Sequence, residues 1–220
     1  MANTRKRLPK VLTTDELNAL RAACPRRSAT GLRNRAMVEA MAGAGLRVSE
    51  VVALRPKDID WTKGTIRVNQ GKGNKDRVIP VTAETLAHLQ AWASKREGLG
   101  FNGHRPFFLG LRTGGDALST RAVQDMVANL AARAGIEHCT PHTLRHTYAT
   151  GSLADGLTIR EVQDLLGHSS VATTQVYLHV DPEALRAKVQ GRGARADKLA
   201  ELQEQIAKLQ EALETLAAEG

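Results

Sequence analysis

Cysteine and aromatic residues are scarce in this sequence of 220 residues. The two cysteines, Cys24 and Cys139, belong to no CxxC motif, so neither a disulfide framework nor a zinc site is expected. This cysteine usage is typical of a protein in a reducing cytoplasm. Aromatic residues make up only 3% of the chain. The core must therefore be built from Leu, Val, Ala and Ile, a composition that favours a mostly helical protein.

Long apolar segments are also missing. The sequence contains no run of about 18 apolar residues, so it predicts no membrane-spanning helix. The basic residues Arg5, Lys6 and Arg7 are followed by no apolar stretch, which argues against a secretory signal. No group of paired acidic residues suits Mg²⁺ binding. We therefore expect neither a metal ion nor another cofactor.

Positive charge, by contrast, is abundant. The formal net charge is +8 at pH 7 and the isoelectric point is near 9.9. Residues 198–220 hold two lysines and five glutamates, a net charge of −3, so residues 1–197 carry +11. A basic body of this kind points to a polyanionic partner, and nucleic acid is the first candidate.

The periodicity of the sequence changes between strand-like and helical segments. Residues 65–68 and 77–81 alternate in polarity and are rich in β-branched side chains, and a glycine-rich turn separates them, so they predict a hairpin. One further strand could join it, whereas residues 98–115 are expected to form a loop. Helices are expected to begin near Thr13, Gly31, Val48, Thr82, Ser119, Thr140, Thr158, Ser170 and Asp181. The expected fold is mainly α with a small antiparallel β-hairpin or sheet, an α+β class.

The last part of the chain has a different pattern. Residues 191–197 are rich in glycine and arginine and break the helical periodicity. Residues 198–220 then place Leu or Ile at alternating steps of three and four, a heptad seam of about three heptads. Its flanking positions are mostly Gln and Ala, so charge would select a partner poorly. This segment either pairs chains or folds back on its own domain as an amphipathic helix.

A set of polar residues spread along the chain could attack a phosphodiester without a metal ion. A tyrosine supplies a phenol nucleophile, arginines hold the phosphate with planar guanidinium groups, and imidazoles and an ammonium group move protons. A free phenol has a pKa of about 10, so the attack needs nearby positive charge or a base. The candidate residues are Arg47, Lys72, His142, Arg145, His168 and Tyr177.

The spacing and the flanking residues of this set resemble those of the tyrosine recombinase (phage integrase) family. The matching segments are 43–50 (GAGLRVSE), 141–146 (PHTLRH), 165–169 (LLGHS) and the surroundings of Tyr177. The resemblance covers residues 8–190 and implies the catalytic domain of that family, with double-stranded DNA as its partner. It also implies site-specific cleavage and rejoining of DNA through a covalent 3′-phosphotyrosine, with neither metal nor ATP.

The same resemblance implies a nucleophile and a general acid. Tyr177 occupies the position of the family's nucleophile, and the other tyrosine, Tyr148, begins an apolar stretch that is typical of a core. Lys72 lies in the turn of the hairpin and would protonate the leaving 5′ oxygen, because an ammonium group on a flexible stem can donate from many directions. Lys75 is the alternative for this role.

The two arginines are implied to hold the phosphate that is cleaved. Arg145 would direct its guanidinium group onto the non-bridging oxygens. Arg47 follows a glycine-rich turn that lets the backbone approach the DNA closely and aims the side chain inward. Glu50, one helical turn later, would orient the guanidinium group of Arg47; an ordinary surface acid is the alternative for this residue.

The histidines are implied to complete the site. His142 lies three residues before the second arginine, so both side chains are expected on one face of a helix. His142 would hydrogen-bond the phosphate or accept the phenol proton, and His146 completes the family's His-x-x-Arg-His motif as a supporting residue. His168, in the Leu-Gly-His motif, would donate to the same phosphate.

The resemblance also divides the chain into segments. We expect a basic arm at 1–7, a catalytic domain at 8–190, a linker at 191–197 and a heptad helix at 198–220. On this division we expect no counterpart of the additional N-terminal helical domain that family members usually carry. Because members of the family act as tetramers on paired DNA sites, self-association is expected, and the heptad helix could contribute to it.

Two other functions share parts of this pattern. A nicking-closing enzyme similar to the type IB topoisomerases would use the same chemistry, although His142 stands where those enzymes typically carry lysine. A non-cutting DNA-binding regulator could also be built on a truncated integrase. The presence of Tyr177 argues against a regulator, since a regulator needs no nucleophile.

Overall fold

The computed structural model describes residues 10–69, 76–101, 106–112, 114–167 and 185–191. The predictions that lie outside these described residues concern Lys72, Lys75, His168, Tyr177, the helix start at Ser170, the start at Asp181, the arm 1–7 and the segment 198–220.

Most of the described residues are helical, as the sequence periodicity predicts. The helices are α1 (Thr14–Ala22), α2 (Ala29–Ala42), α3 (Val48–Ala53), α4 (Ala83–Gly98), α5 (Thr120–Arg133), α6 (Pro141–Ala154) and α7 (Ile159–Leu166), and residues 185–191 are helical as well. Within the described part of the chain, no helix has both the length and the apolar character that a bilayer crossing requires.

Five of these helices begin at the capping residues that the sequence indicates. In each case the hydroxyl oxygen of the N-cap residue accepts a hydrogen bond from the backbone N–H three residues later, which satisfies one of the free donors of the first turn. The caps are Thr13, Thr82, Ser119, Thr140 and Thr158. The predicted helix boundaries are therefore largely confirmed.

The strands form two small antiparallel sheets. In the first sheet, β1 (Ile59–Asp60), β2 (Thr65–Val68) and β3 (Arg77–Pro80) lie in that order, which confirms the hairpin and supplies the further strand. In the second, β4 (Leu109–Gly110) pairs with β5 (Asp116–Ala117).

The second sheet corrects the expectation that residues 98–115 form only a loop. Strands of two residues are too short to show an alternating pattern, so the sequence gives no periodic signal for them. They accompany the burial of Leu109, whose backbone pairs with Ala117 and therefore has partners inside the protein.

Helix α2 lies at the centre of the core. Its residues from Ala36 to Met41 are all buried, including the charged Glu39, and the helix packs against α4 and α6. Helix α6 packs in turn against α7, and α7 packs against β3. This order brings the start of α3, the middle of α6, the end of α7 and the first residue of β3 to one place in the fold.

Candidate functional site

The first candidate arginine, Arg47, is held by Glu50 at the start of α3. Arg47 is the N-cap of this helix, and the Glu50 carboxylate accepts a hydrogen bond from its backbone N–H at 2.8 Å. The same carboxylate pairs with Arg47 Nη1 at 2.9 Å. The contact expected between these two side chains is therefore present, and Arg47 remains 37% exposed at its side chain.

The glycine-rich turn before Arg47 lies very close to other residues of the protein. Gly45 has a φ of +67°, a conformation that side chains rarely adopt. A Cβ atom at this position would lie 2.5 Å from Tyr148 Cδ1 and 2.9 Å from Leu166 Cδ2. Tyr148 is 2% exposed, which confirms its predicted place in the core. The turn therefore needs glycine because α6 and α7 pack directly against it.

The second candidate arginine, Arg145, lies deeper than its place in a helix-start motif indicates. It is 6% exposed, and its two terminal nitrogens donate to the carbonyl oxygens of Gly45 and Leu166, each at 2.6 Å. A guanidinium group has five N–H donors in a planar fork. Two of them are used in these two hydrogen bonds, so the group is fixed in orientation while it keeps further donors.

The end of α7 collects three arginines on consecutive carbonyl oxygens. Leu165 O accepts from Arg77 Nε at 2.8 Å, Leu166 O accepts from Arg145, and Gly167 O accepts from Arg47 Nη2 at 3.0 Å. The last carbonyls of a helix have no partner within the helix, and the C-terminal end of the helix dipole attracts cations. Gly167, in the left-handed conformation with φ 64°, ends the helix immediately before residue 168.

Arg77 belongs to this cluster although the sequence analysis did not select it. Its Nη1 and Nη2 atoms donate to the two carboxylate oxygens of Glu50 at 2.9 and 2.8 Å, and its side chain is 9% exposed. Arg77 shares a strand face with the buried Ile79, whereas the intervening Val78 is exposed. Because Val78 and Ile79 are both apolar, the sequence alone gives no signal for which face points inward. An arginine on the inward face of a strand requires an anionic or carbonyl partner.

The charges in this cluster do not balance. Three guanidinium groups share the carboxylate of Glu50, with Arg145 Nη1 lying 3.9 Å from its Oε2 atom. Burial acts to raise the pKa of Glu50, but hydrogen bonds from Arg77 and Arg47 outweigh this effect, and the pKa lies below its usual value. Burial, followed by repulsion from Arg47, lowers the pKa of Arg145 to about 10. Glu50 is therefore ionised and Arg145 stays protonated at neutral pH, which leaves a surplus of positive charge.

The two histidines of α6 lie on the exposed side of this cluster. His142 Nε2 and His146 Nε2 are 2.8 Å apart, and the rings meet edge to face at a centroid distance of 4.2 Å. At this distance one nitrogen donates the hydrogen and the other accepts it, so the two rings cannot both carry two protons. Burial, then the charges of His142 and Arg145, lower the pKa of His146. The neutral form of His146 is therefore favoured.

The structure thus brings together five of the predicted site residues and adds one. Arg47, Glu50 and Arg145 meet at the end of α7 with Arg77, and His142 and His146 stand beside them on α6. Lys72, His168 and Tyr177 lie outside the described residues.

Further basic side chains surround the cluster on the side of α3. A groove of about 350 Å³ has the acidic residues Glu50 and Asp58 on its wall and is also lined by Arg55, Lys57 and Arg67. All three basic residues are exposed. A long anion bound to the cluster would therefore meet additional positive charge as it leaves.

One group of described residues has the spacing of metal ligands, away from the arginine cluster. The ligand atoms of Glu39, Glu84 and His88 lie within 4.8 Å of one another. However, Glu39 already pairs with Arg21 at 3.0 Å and with Arg35 at 2.8 Å. The arginines occupy the place of a cation, so these residues do not fit a metal ion.

The sequence of this chain matches known proteins over most of its length. The pattern of the phage integrase family matches residues 10–184. The tyrosine recombinase XerC of Xanthomonas campestris pv. campestris (strain B100) is 43% identical over 185 residues, which are 84% of this chain and 55% of that protein. The tyrosine recombinase XerA of Thermococcus kodakarensis is 40% identical over 196 residues, 87% of this chain and 65% of that protein. This chain therefore spans less than two thirds of the length of these relatives.

Solved structures show the same fold. The crystal structure of a XerA recombinase superposes with a TM-score of 0.67 at 35% identity and covers 81% of this chain and 63% of that one. The site-specific recombinase XerH, bound to its difH substrate in a pre-cleavage complex, has a TM-score of 0.62 at 25% identity and covers 86% of this chain and 53% of that one. The family pattern covers most of this chain, and the relatives are more than 30% identical to it, so the chain belongs to the phage integrase family.

Proposed function

We propose that this chain is a site-specific DNA recombinase that cleaves and rejoins DNA through a covalent 3′-phosphotyrosine. The observation that carries the proposal is the surplus of positive charge in the described cluster. Arg47, Arg77 and Arg145 share the carboxylate of Glu50, and Arg47 is partly exposed to solvent. An excess of fixed guanidinium donors is suited to a phosphodiester, whose charge increases as phosphorus becomes five-coordinate.

In the proposed reaction, Tyr177 is the nucleophile. Its phenolic oxygen forms a bond to phosphorus while the bond from phosphorus to the 5′ oxygen breaks. The phenol proton passes to His142, and the leaving oxygen takes a proton from the ammonium group of Lys72, with Lys75 as the alternative donor. Arg47 and Arg145 hold the non-bridging oxygens, so the mechanism needs no metal ion. The phosphotyrosine bond retains the energy of the broken phosphodiester, so rejoining needs no ATP. Rejoining is the reverse of these steps.

The remaining site residues act on the same phosphate or on its ligands. In the proposal, His168 donates to a non-bridging oxygen. It directly follows Gly167 in the sequence, and the Gly167 carbonyl oxygen accepts a hydrogen bond from Arg47. Glu50 orients Arg47, and His146 orients His142 because the two rings share a short hydrogen bond.

The partner in this proposal is double-stranded DNA. The exposed basic residues beside the cluster support it, and so do the relatives, one of which is bound to its DNA substrate. We further propose that the chain acts as a tetramer on paired sites. Residues 8–190 are the catalytic domain in this proposal. The linker 191–197 joins this domain to residues 198–220, which pair one chain with another. The cytoplasm remains the predicted location of this activity.

The decisive experiment is the capture of a covalent adduct. A pool of nicked DNA duplexes with randomised sequence at the nick traps the adduct, because the short product strand diffuses away and cannot rejoin. We expect the wild-type chain to form adducts that survive denaturation. Tyr177→Phe removes only the phenolic oxygen, so it should abolish the adduct while DNA affinity stays within a few fold of the wild type.

Tyr148→Phe is the matched control, because it removes the same atom from the buried tyrosine and should leave adduct formation intact. Adducts that persist in Tyr177→Phe would overturn the nucleophile. Wild-type protein that binds DNA without forming any adduct would indicate a regulator that does not cut. Adducts that lead only to relaxation of supercoiled DNA, without joining of two sites, would indicate a nicking-closing enzyme.

A further inference from the structure

We infer that Arg77 is a positioning residue for the cleavage reaction, acting on Arg47 through Glu50 and on Arg145 through the end of α7. The inference rests on the proposed function. Arg77 itself is almost completely buried and is not placed to touch the DNA. Its three described hydrogen bonds instead go to groups that hold the two arginines assigned to the phosphate.

The first route runs through Glu50. Both carboxylate oxygens of Glu50 accept from Arg77, in the bidentate geometry that holds a carboxylate most firmly. With the carboxylate fixed, the guanidinium group of Arg47 meets it through Nη1, and its Nη2 is directed to Gly167 O. Without Arg77, the carboxylate would be free to turn and bind the guanidinium group of Arg47 with both oxygens. The guanidinium group of Arg47 would then be drawn inward, away from a phosphate.

The second route runs through the backbone of α7. Arg77 Nε donates to Leu165 O, the carbonyl directly before the one that Arg145 binds. This hydrogen bond joins β3 to α7 at the turn where Gly167 ends the helix. Loss of this bond would free the last turn of α7 to shift. The carbonyl oxygens that orient Arg145 and Arg47 would shift with it.

The position of Arg77 in the chain allows a different reading. Arg77 lies five residues after Lys72, so it could act by holding the turn that carries the general acid. The two readings predict different chemistry. If Arg77 acts through the general acid, its loss should no longer slow cleavage when the leaving group needs no proton. If Arg77 acts through the phosphate ligands, its loss should still slow cleavage of that substrate.

The test measures single-turnover cleavage of a nicked duplex at saturating DNA. Arg77→Met keeps the length and apolar volume of the side chain and removes the guanidinium group. We expect it to slow cleavage about 100-fold, since a misplacement of about 1 Å can have an effect of this size. DNA affinity should change by less than a few fold. Arg77→Lys keeps the charge without the planar fork, so it should restore only part of the rate.

A 5′-bridging phosphorothiolate in the same duplex separates the two readings, because its thiolate leaves without a proton. We expect Lys72→Ala to be rescued on this substrate and Arg77→Met to remain slow. Glu50→Gln should also be slow. The loss in Arg77→Met combined with Glu50→Gln should be smaller than the product of the two single losses, because the two residues share the route through Glu50. Rescue of Arg77→Met by sulfur, or losses that multiply in the double variant, would overturn the inference.

The matched control is Arg96→Met. Arg96 is equally buried and donates to the backbone carbonyls of Phe101 and Pro106, at a distance from the cluster. The Arg96→Met variant should have a lower denaturation midpoint, and the cleavage rate of the folded protein should be unchanged. If Arg77→Met lowers the denaturation midpoint but leaves the cleavage rate of the folded protein unchanged, Arg77 has only a structural role. If Arg77→Met does not fold, Arg77→Lys undergoes the same comparison.

A measurement without DNA separates this inference from the proposed function. The titration of the Glu50 carboxyl, followed by NMR on the free chain, should move to higher pH in Arg77→Met. A wild-type chain that forms no adduct contradicts the proposed function and with it the role of Arg77 in cleavage. An active wild type with an equally active Arg77→Met contradicts the inference about Arg77 alone.

Discussion

Two glutamates of this protein are surrounded by arginines, and the two clusters differ in their charge. Glu39 in α2 is completely buried and pairs with Arg21 and Arg35, and Arg35 also lies 3.7 Å from Glu84. Two arginines thus face two carboxylates. Around Glu50, three arginines share a single carboxylate. The first cluster is neutral as a unit, and the second is positive.

The second difference concerns what else the arginines bind. In the Glu39 cluster, the described partners are side chains of α1, α2 and α4. In the Glu50 cluster, the arginines also bind backbone carbonyl oxygens at the end of α7, so their directions are fixed independently of any ligand. A neutral cluster of ions holds helices together, whereas fixed surplus charge can receive an anion without reorganisation. The same residue types therefore serve the fold in one place and, in our proposal, the reaction in the other.

The largest expected difference between the clusters is in cleavage. Arg145→Lys keeps the charge and loses the fork that binds Gly45 O and Leu166 O, so we expect single-turnover cleavage to fall about 100- to 1,000-fold. Arg35→Lys makes the same change in the neutral cluster and should leave the cleavage rate of the folded protein unchanged. If Arg145→Lys and Arg35→Lys slow cleavage equally, the two clusters do not differ in function.

The next effect is on stability, and it is expected at the neutral cluster. Glu39→Gln leaves the guanidinium groups of Arg21 and Arg35 without their buried counter-charge. We expect it to lower the free energy of unfolding by about 3 kcal/mol, as measured by urea denaturation. The cleavage rate of the protein that remains folded should be unchanged. A Glu39→Gln protein as stable as the wild type would show that the cluster contributes specificity of packing rather than stability.

The smallest effect concerns pH, because each cluster has a histidine beside it whose pKa is lowered. Burial, then Arg35, lowers the pKa of His88, and burial, then His142, lowers that of His146. When the pKa of a histidine is lower in the folded protein than its value of 6.5 in the unfolded chain, its contribution to stability is complete above pH 6.5. The contribution decreases as the pH falls below 6.5, because the unfolded chain then binds more protons.

We therefore expect the urea midpoint of the wild type to decrease as the pH is lowered from about 7.5 to about 5.5. The decrease should be smaller in His88→Gln and in His146→Gln. Only His146→Gln should also change the pH profile of cleavage, because His146 contacts His142. A change of that profile in His88→Gln would contradict the separation of the two clusters.

Much of the local structure could be predicted because its determinants are close in sequence. A cap hydroxyl binds a backbone N–H three residues later, so Thr140 followed by Pro141 is enough to indicate where α6 begins. The contact between Arg47 and Glu50 likewise follows from a spacing of three residues at a helix start. The strands of the hairpin were predicted by alternation, whereas β4 and β5 are too short to show it.

By itself, then, the sequence determined the helices, the hairpin, the basic character and the residue types that the family shares. Only the tertiary structure decided what each arginine binds. Arg145 reaches Gly45 O across 100 residues of chain, and Arg77 reaches Leu165 O across 88. The physical reason is that every backbone carbonyl is chemically alike, so which of them meets a guanidinium group depends on how α2, α6, α7 and β3 pack. That packing placed Arg77, an ordinary strand residue by its sequence, against Glu50.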